Sequence, residues 1–237
     1  MGMLDAHPAV ASYDELLLGG ATGSGYWGRT DLKFFEPYFL RHRKHANRLA
    51  RALWSFRYLN ALYTSRQGTE AIGMKLMYEQ LWHNPCVWLY MVRHRVRVVH
   101  LVRSNLLDIV LSEATAKARQ RPHAWKGQTI ETPAVTLVPN TLVSTLKTLE
   151  HRVKIARSLL TVLPISHVEI SYEQLTAHPS LVYDIFAFLN VAIHSEPPVL
   201  VSRFRKLNTA TKPDLIENYG EVAQALKGTR FESFLDE

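Results

Sequence analysis

The chain has 237 residues, 47% hydrophobic and 21% charged, and its 28 basic against 21 acidic side chains give a formal charge of +7. Such a length suits one globular domain with a substantial core, and the basic excess suits an anionic ligand such as a nucleotide, an acidic glycan or a membrane surface; nucleic acid fits equally on charge alone. The lone cysteine, Cys86, excludes an internal disulfide and a cysteine-based zinc cluster, while the lack of a membrane-length apolar run or a secretory start predicts a cytoplasmic protein.

Residues 1–18 read as the end of a helix, a turn and a short amphipathic piece. Residues 19–31 are a glycine-rich loop. Its Gly19–Gly25 run carries no lysine and follows no apolar strand, so a flexible connection is expected rather than a phosphate-binding loop. From Phe34 to Arg66, Phe35, Phe39, Leu49, Leu53, Phe56, Leu59 and Leu62 recur at helical spacing among basic residues, predicting one or two helices. Ala71 to Leu76 reads as a short strand, and Tyr78 to Tyr90 as helical with a break near Pro85. Cys86, beside that break, reads as a small buried hydrophobe rather than a nucleophile.

Val96 to Val102 is an apolar, β-branched run, as expected for a strand covered on both faces in a parallel sheet, and Leu106 to Arg119 is its following helix. Residues 121–139 are polar and punctuated by proline, so a loop is expected, with Trp125 covering either the substrate region or the core. Thr141 to Leu163 is the longest helix, ending before Pro164. A strand at Val168–Ser171 and a helix at Leu181–Leu189 follow, and Glu196-Pro-Pro198 introduces a basic, irregular tail. Eleven histidines form no metal-ligand pattern; His42 and His45 sit in a cationic run that repels a metal ion, so no metal is expected. Strands alternating with helices imply an α/β fold, a parallel sheet flanked by helices.

The chemistry concentrates where the Val96–Val102 strand ends. Arg103 stands at the ligand-binding edge of an α/β sheet, and Ser112 follows nine residues later in the first turns of the next helix. A guanidinium holding two oxygens, with a hydroxyl donating one more hydrogen bond, is a compact phosphate receptor. The plainer reading makes Arg103 a solvated strand-end residue and Ser112 a helix bystander.

This segment resembles the 3′-phosphate-binding segment of sulfotransferases that use 3′-phosphoadenosine 5′-phosphosulfate (PAPS). The likeness extends along the chain. Ile170-Ser-Tyr-Glu-Gln-Leu-Thr-Ala-His-Pro179 and Ile185–Asn190 resemble the family's late strand, its tyrosine-bearing turn and the next helix. Gly73-Met-Lys-Leu-Met77 resembles the lysine-bearing strand of the nodulation and trehalose sulfotransferase branches. Asp214–Val222, Leu226–Thr229 and Phe234-Leu235 are similar to the tail of bacterial carbohydrate-type members. Met3–Val10 and Ser12–Leu16 resemble the end of the family's first helix and the loop after it. The Arg-x-Asn-Leu-Leu pattern fits the nodulation-type branch, and the spacing to Ser112 is one residue longer than in animal cytosolic enzymes.

The resemblance implies a three-layer sandwich of the P-loop NTPase-like sulfotransferase kind, one domain over residues 1–237. It implies PAPS as co-substrate, no metal, and a hydroxyl of a carbohydrate, glycolipid or small metabolite as acceptor. Arg103 and Ser112 would clamp the 3′-phosphate, Tyr172 would lie near the adenine, and Arg205 and Lys206, beside Arg203, would fold over the nucleotide. Tyr172 as a core tyrosine, and the tail cations as a solvated run, are the competing readings. Glu15 aligns with a glutamate able to accept the hydroxyl proton, with Asp14 its rival and a surface carboxylate the alternative. Lys75, on an apolar strand where a cation needs a counter-charge, would bind acceptor or transferring sulfate.

In the family, the first strand and a phosphosulfate-binding loop precede the helix ending in His-Pro. This chain opens inside the corresponding helix, so that strand and loop are expected to be missing and turnover to be low. The alternative expectation is an inactive nucleotide-binding or regulatory protein of the same fold. A P-loop kinase is disfavoured, because neither a lysine-containing glycine loop nor metal-holding carboxylates are visible. No nucleic-acid partner is expected: the basic residues are dispersed and no recognition motif appears.

Overall fold

The computed structural model describes residues 4, 6–13, 15–17, 35, 48–64, 68–119, 133–192 and 210–236. It is α/β, with helices flanking two parallel two-stranded sheets among the described residues. The chain divides into two compact units, each discontinuous in sequence.

In the first unit, strand β1 (Val10–Tyr13) pairs in parallel with β2 (Ala71–Met74), Val10 opposite Ala71 and Tyr13 opposite Met74. The helix end expected before β1 is instead a set of turns, closed by the His7 N–H on the Leu4 carbonyl and the Val10 N–H on that of His7. Helix α1 (Arg48–Leu62) turns Ser55, Tyr58, Leu59 and Leu62 inward, a spacing that brings them onto one stripe. Leu49 and Leu53, expected on that stripe, are exposed at 81% and 53%. The buried Phe35 ring meets Tyr58 edge-on at 5.4 Å.

Helices α2 (Tyr78–His83) and α3 (Cys86–Arg93) are separated as expected, because Pro85 has no N–H to continue the ladder and disfavours helical geometry at Asn84. Asn84 is buried and donates its side-chain amide to the Gln80 carbonyl at 2.9 Å, closing α2. Cys86 is half-buried, short of the full burial expected. Helix α7 (Leu181–Leu189) adds buried Val182, Ile185 and Phe186 and stops at Asn190, whose left-handed conformation (φ 60°) ends helices.

Strand β3 (Val98–Val102) pairs with β4 (His167–Ser171). Full coverage of β3 is not observed: Leu101 is 48% exposed, and the most buried residue is the polar His100. Val98, Val99 and Val102 are half-buried.

In the second unit, helix α4 (Leu106–Ala118) begins at Asn105, whose side-chain oxygen accepts from the N–H groups of Leu107 and Asp108 at 3.1 and 3.3 Å. Leu107 and Leu111 from α4 pack with Leu142 and Leu146 from α5 (Pro139–Val162). Helix α6 (Tyr172–Ala177) follows β4 directly. The tail expected to be irregular forms α8 (Lys212–Leu215), α9 (Tyr219–Leu226) and a 3₁₀ turn at Glu232–Leu235. Leu215, Ile216, Val222, Leu226 and Phe231 complete this core. Ile216 forms a parallel bridge with Val135, and Asn218 spans both backbone groups of Leu137. Among the described residues no helix is long and apolar enough to cross a membrane, and no group of three or more His, Cys, Asp or Glu side chains is placed to hold a metal ion.

Candidate functional site

The carboxyl ends of parallel strands leave adjacent loops open to ligands. In the second unit three of the expected residues lie at or after those ends. Arg103 follows β3 and is half-buried, with its guanidinium carbon 4.3 Å from the centre of the Tyr172 ring, the first residue of α6. That is cation–π distance. Arg103 also donates from Nη1 to the Asp108 carbonyl at 3.3 Å. A guanidinium has five N–H donors, and among the described residues Arg103 forms no ion pair. Charge and donors remain for an anion.

Ser112 is exposed on α4. The helical ladder bonds its N–H to the Asp108 carbonyl, the same oxygen Arg103 touches. Ser112 therefore stands one turn along the side of α4 that Arg103 meets, with its Cβ tilted back toward that turn.

Two contacts hold the neighbouring backbone. Glu173 accepts from both the N–H and the hydroxyl of Ser104, at 3.2 and 3.1 Å. Asn105, besides capping α4, donates to the Phe234 carbonyl at 2.9 Å. Together they fix the turn between Arg103 and α4 from two directions.

Lys212 was missed by sequence reasoning. It is buried at the start of α8, and its ammonium lies 3.6 Å from an Asp108 carboxylate oxygen, at the end of salt-bridge reach. Its signal was Thr211-Lys-Pro-Asp214, a helix-start pattern in which the Thr211 hydroxyl donates to the Asp214 carboxylate at 2.5 Å. Arg103 and Lys212 thus meet one residue, Asp108, through its carbonyl and its carboxylate.

The first unit brings together the other two expected residues. Glu15 lies just past β1 and Lys75 just past β2, not on the strand itself, which ends at Met74. The Lys75 N–H bonds the Tyr13 carbonyl at 2.9 Å, and its ammonium lies 2.6 Å from one Glu15 carboxylate oxygen. The other Glu15 oxygen accepts from the Gln80 side chain at 3.3 Å. The counter-charge that Lys75 requires is therefore Glu15. Gln80, unforeseen in the sequence, orients that carboxylate from α2. Asp14, Arg203, Arg205, Lys206, Trp125 and the Gly19–Gly25 run lie outside the described residues.

Comparisons of the chain with protein-family models, curated proteins and solved structures found no match.

Proposed function

We propose that this chain is a PAPS-dependent sulfotransferase acting on a hydroxyl of a carbohydrate, glycolipid or small metabolite. The observation that carries the reading is the placement of Arg103 over Tyr172 and against the turn of α4 bearing Ser112. A fork of donors beside a hydroxyl suits a doubly charged phosphate, and an aromatic ring beside it suits a base. Sulfuryl transfer is an in-line displacement governed by positioning and charge stabilisation, so cationic side chains serve it without a covalent intermediate. Within the described residues Arg103, Ser112 and Tyr172 take the nucleotide role, with Lys75 and Glu15 the acceptor or sulfate role.

The test is calorimetry with 3′-phosphoadenosine 5′-phosphate on the wild type and Arg103→Ala. Loss of two charge-assisted hydrogen bonds, about 1.5–3 kcal/mol each, weakens binding by about 100-fold or more. Equal affinity in both proteins removes the clamp. Binding without release of that nucleotide from PAPS instead favours the regulatory reading.

A further inference from the structure

Helices α1 and α3 lie side by side in the first unit. Tyr90 of α3 meets the Phe56 ring of α1 edge-on at 5.3 Å and donates its hydroxyl to the Asn60 side-chain oxygen at 3.0 Å. Tyr58, Leu59 and Leu62 from α1 and Val87, Tyr90 and Met91 from α3 turn into one apolar core. At about 100° per residue, the opposite side of α1 carries Leu49, Leu53 and Arg57, and that of α3 carries Leu89 and Arg93, each an i, i+4 row. Both rows point away from the core the helices share. Leu49, Leu53 and Leu89 are 81%, 53% and 62% exposed, and Arg57 and Arg93 are exposed with them.

The charge on this surface is of one sign. No aspartate or glutamate occurs from residue 37 to 69 or from 80 to 107, stretches that contain the whole of α1 and α3. Arg57, Arg93, Arg95 and Arg97 are exposed, and none of them forms an ion pair among the described residues. Arg57 lies over the Trp54 ring, 4.8 Å from its centre, a contact that leaves its charge uncancelled. Arg95 holds a left-handed conformation, φ 52°, past the end of α3, where the Val96 N–H returns to the Met91 carbonyl at 2.9 Å. Glycine fits that closing position without strain, so a long cation is kept there against the preference of the backbone. Such outliers cluster at functional sites.

We propose that the outward side of α1 and α3 docks on a lipid bilayer rich in anionic headgroups. Single exposed leucines are ordinary. Three of them on neighbouring helices, set among arginines without ion pairs and with no carboxylate, match the composition of helices that lie in a membrane interface. The leucines enter the acyl boundary, and the guanidiniums bind headgroup phosphates while their methylene stems lie along the apolar zone. A nucleic acid would use the arginines and leave the leucines idle; a bilayer uses both. The helices lie on the bilayer, and among the described residues none is long and apolar enough to cross it. The docking is independent of the sulfotransferase reading.

The test is sedimentation of the full chain with vesicles of phosphatidylcholine alone or of phosphatidylcholine and phosphatidylglycerol in equal parts. The wild type is expected to bind the mixed vesicles, to leave the neutral ones in solution, and to be released by salt. Each arginine near an anionic surface is worth about fivefold in affinity. Arg95→Gly is therefore expected to bind about fivefold more weakly while its Tm stays level or rises, because glycine relieves the left-handed strain. Arg93→Gln, Arg95→Gly and Arg97→Gln combined are expected to lose about 100-fold. Leu49→Ser with Leu53→Ser, both at exposed positions that leave the core intact, is expected to lose about tenfold on the mixed vesicles. Equal sedimentation with both kinds of vesicle, or with neither, overturns the docking, as does wild-type affinity in the combined arginine variant. Vesicle binding that ignores the leucine substitutions also overturns it, and polyuridylate bound as tightly by that variant as by the wild type then assigns the arginines to nucleic acid.

Discussion

Replacing Asn105 by alanine tests whether the turn between β3 and α4 is held as described. Asn105 is 3% exposed and makes three hydrogen bonds. Its oxygen accepts from the first turn of α4, a cap worth about 1 kcal/mol. Its amide donates to the Phe234 carbonyl at 2.9 Å, and alanine leaves that acceptor stranded at a cost of about 1–2 kcal/mol. The sum is about 2–3 kcal/mol. The assay is amide hydrogen exchange across α4, read site by site, because a chain of two compact units need not unfold in one step. Exchange is expected to speed up by about 30- to 150-fold, at roughly tenfold per 1.4 kcal/mol. Asn105→Asp keeps the capping oxygen and adds a favourable negative charge at the helix start, but loses the donor to Phe234. It is expected to fall between alanine and wild type. An Asn105→Ala protein within about 0.5 kcal/mol of wild type, the ordinary surface-substitution range, refutes the description.

Two further outcomes follow from the first unit. The Tyr63 hydroxyl is pushed up to about 12, first by burial and then by Tyr90, whose ring stacks on it at 5.9 Å. The unfolded chain loses this proton near pH 10 while the folded chain keeps it, so stability present below pH 10 declines as the pH climbs to about 12, by an amount on the order of 2 kcal/mol. Urea midpoints measured across that window should fall less steeply in Tyr63→Phe; parallel declines would contradict the assignment. Lys75→Met removes a partly exposed ion pair, with side chains 36% and 25% exposed, so stability should change by less than about 1 kcal/mol. Release of 3′-phosphoadenosine 5′-phosphate from PAPS should nevertheless fall about 100-fold, the scale of a lost electrostatic stabiliser, and retention of wild-type turnover would separate Lys75 from the chemistry.

Legibility in the sequence followed the range of the interactions. The β3–α4 segment was readable because an apolar β-branched run meets an asparagine cap within a few residues, and α7 because Leu189-Asn190 supplies its own stop. β1 was not readable: Val10-Ala-Ser-Tyr13 is short, and its strand geometry comes from pairing with residues 71–74. The tail looked irregular because Leu215, Ile216 and Val222 find their partners on α4, α5 and Val135, far away in sequence. Leu49 and Leu53 show the opposite failure, where correct helical spacing gave no guide to which side faces the core. Arg103, Tyr172, Glu15 and Lys75 were singled out in the sequence, but the contacts that pair them were not. Lys212, Gln80 and His100 were overlooked, although a histidine inside Val98–Val102 implies a hydrogen-bonding partner if buried.

The two strand pairs end in different kinds of cation contact. Past β1 and β2, Lys75 is neutralised by a carboxylate at 2.6 Å, so the pair presents little net charge to an incoming anion. Past β3 and β4, Arg103 rests on the π face of Tyr172 and a backbone carbonyl, contacts that orient a guanidinium without cancelling its charge. An anion gains most from a cation that is already oriented and not already paired, because neither ordering entropy nor a competing carboxylate must be overcome. On the sulfotransferase reading proposed above, phosphate recognition falls to the β3–β4 end. On the same reading, Lys75 meets a sulfuryl oxygen only as Glu15 is displaced or shared. Glu15→Gln should then strengthen inhibition by inorganic sulfate if Lys75 receives the sulfuryl group, and leave it unchanged if the pair serves only to join the ends of β1 and β2.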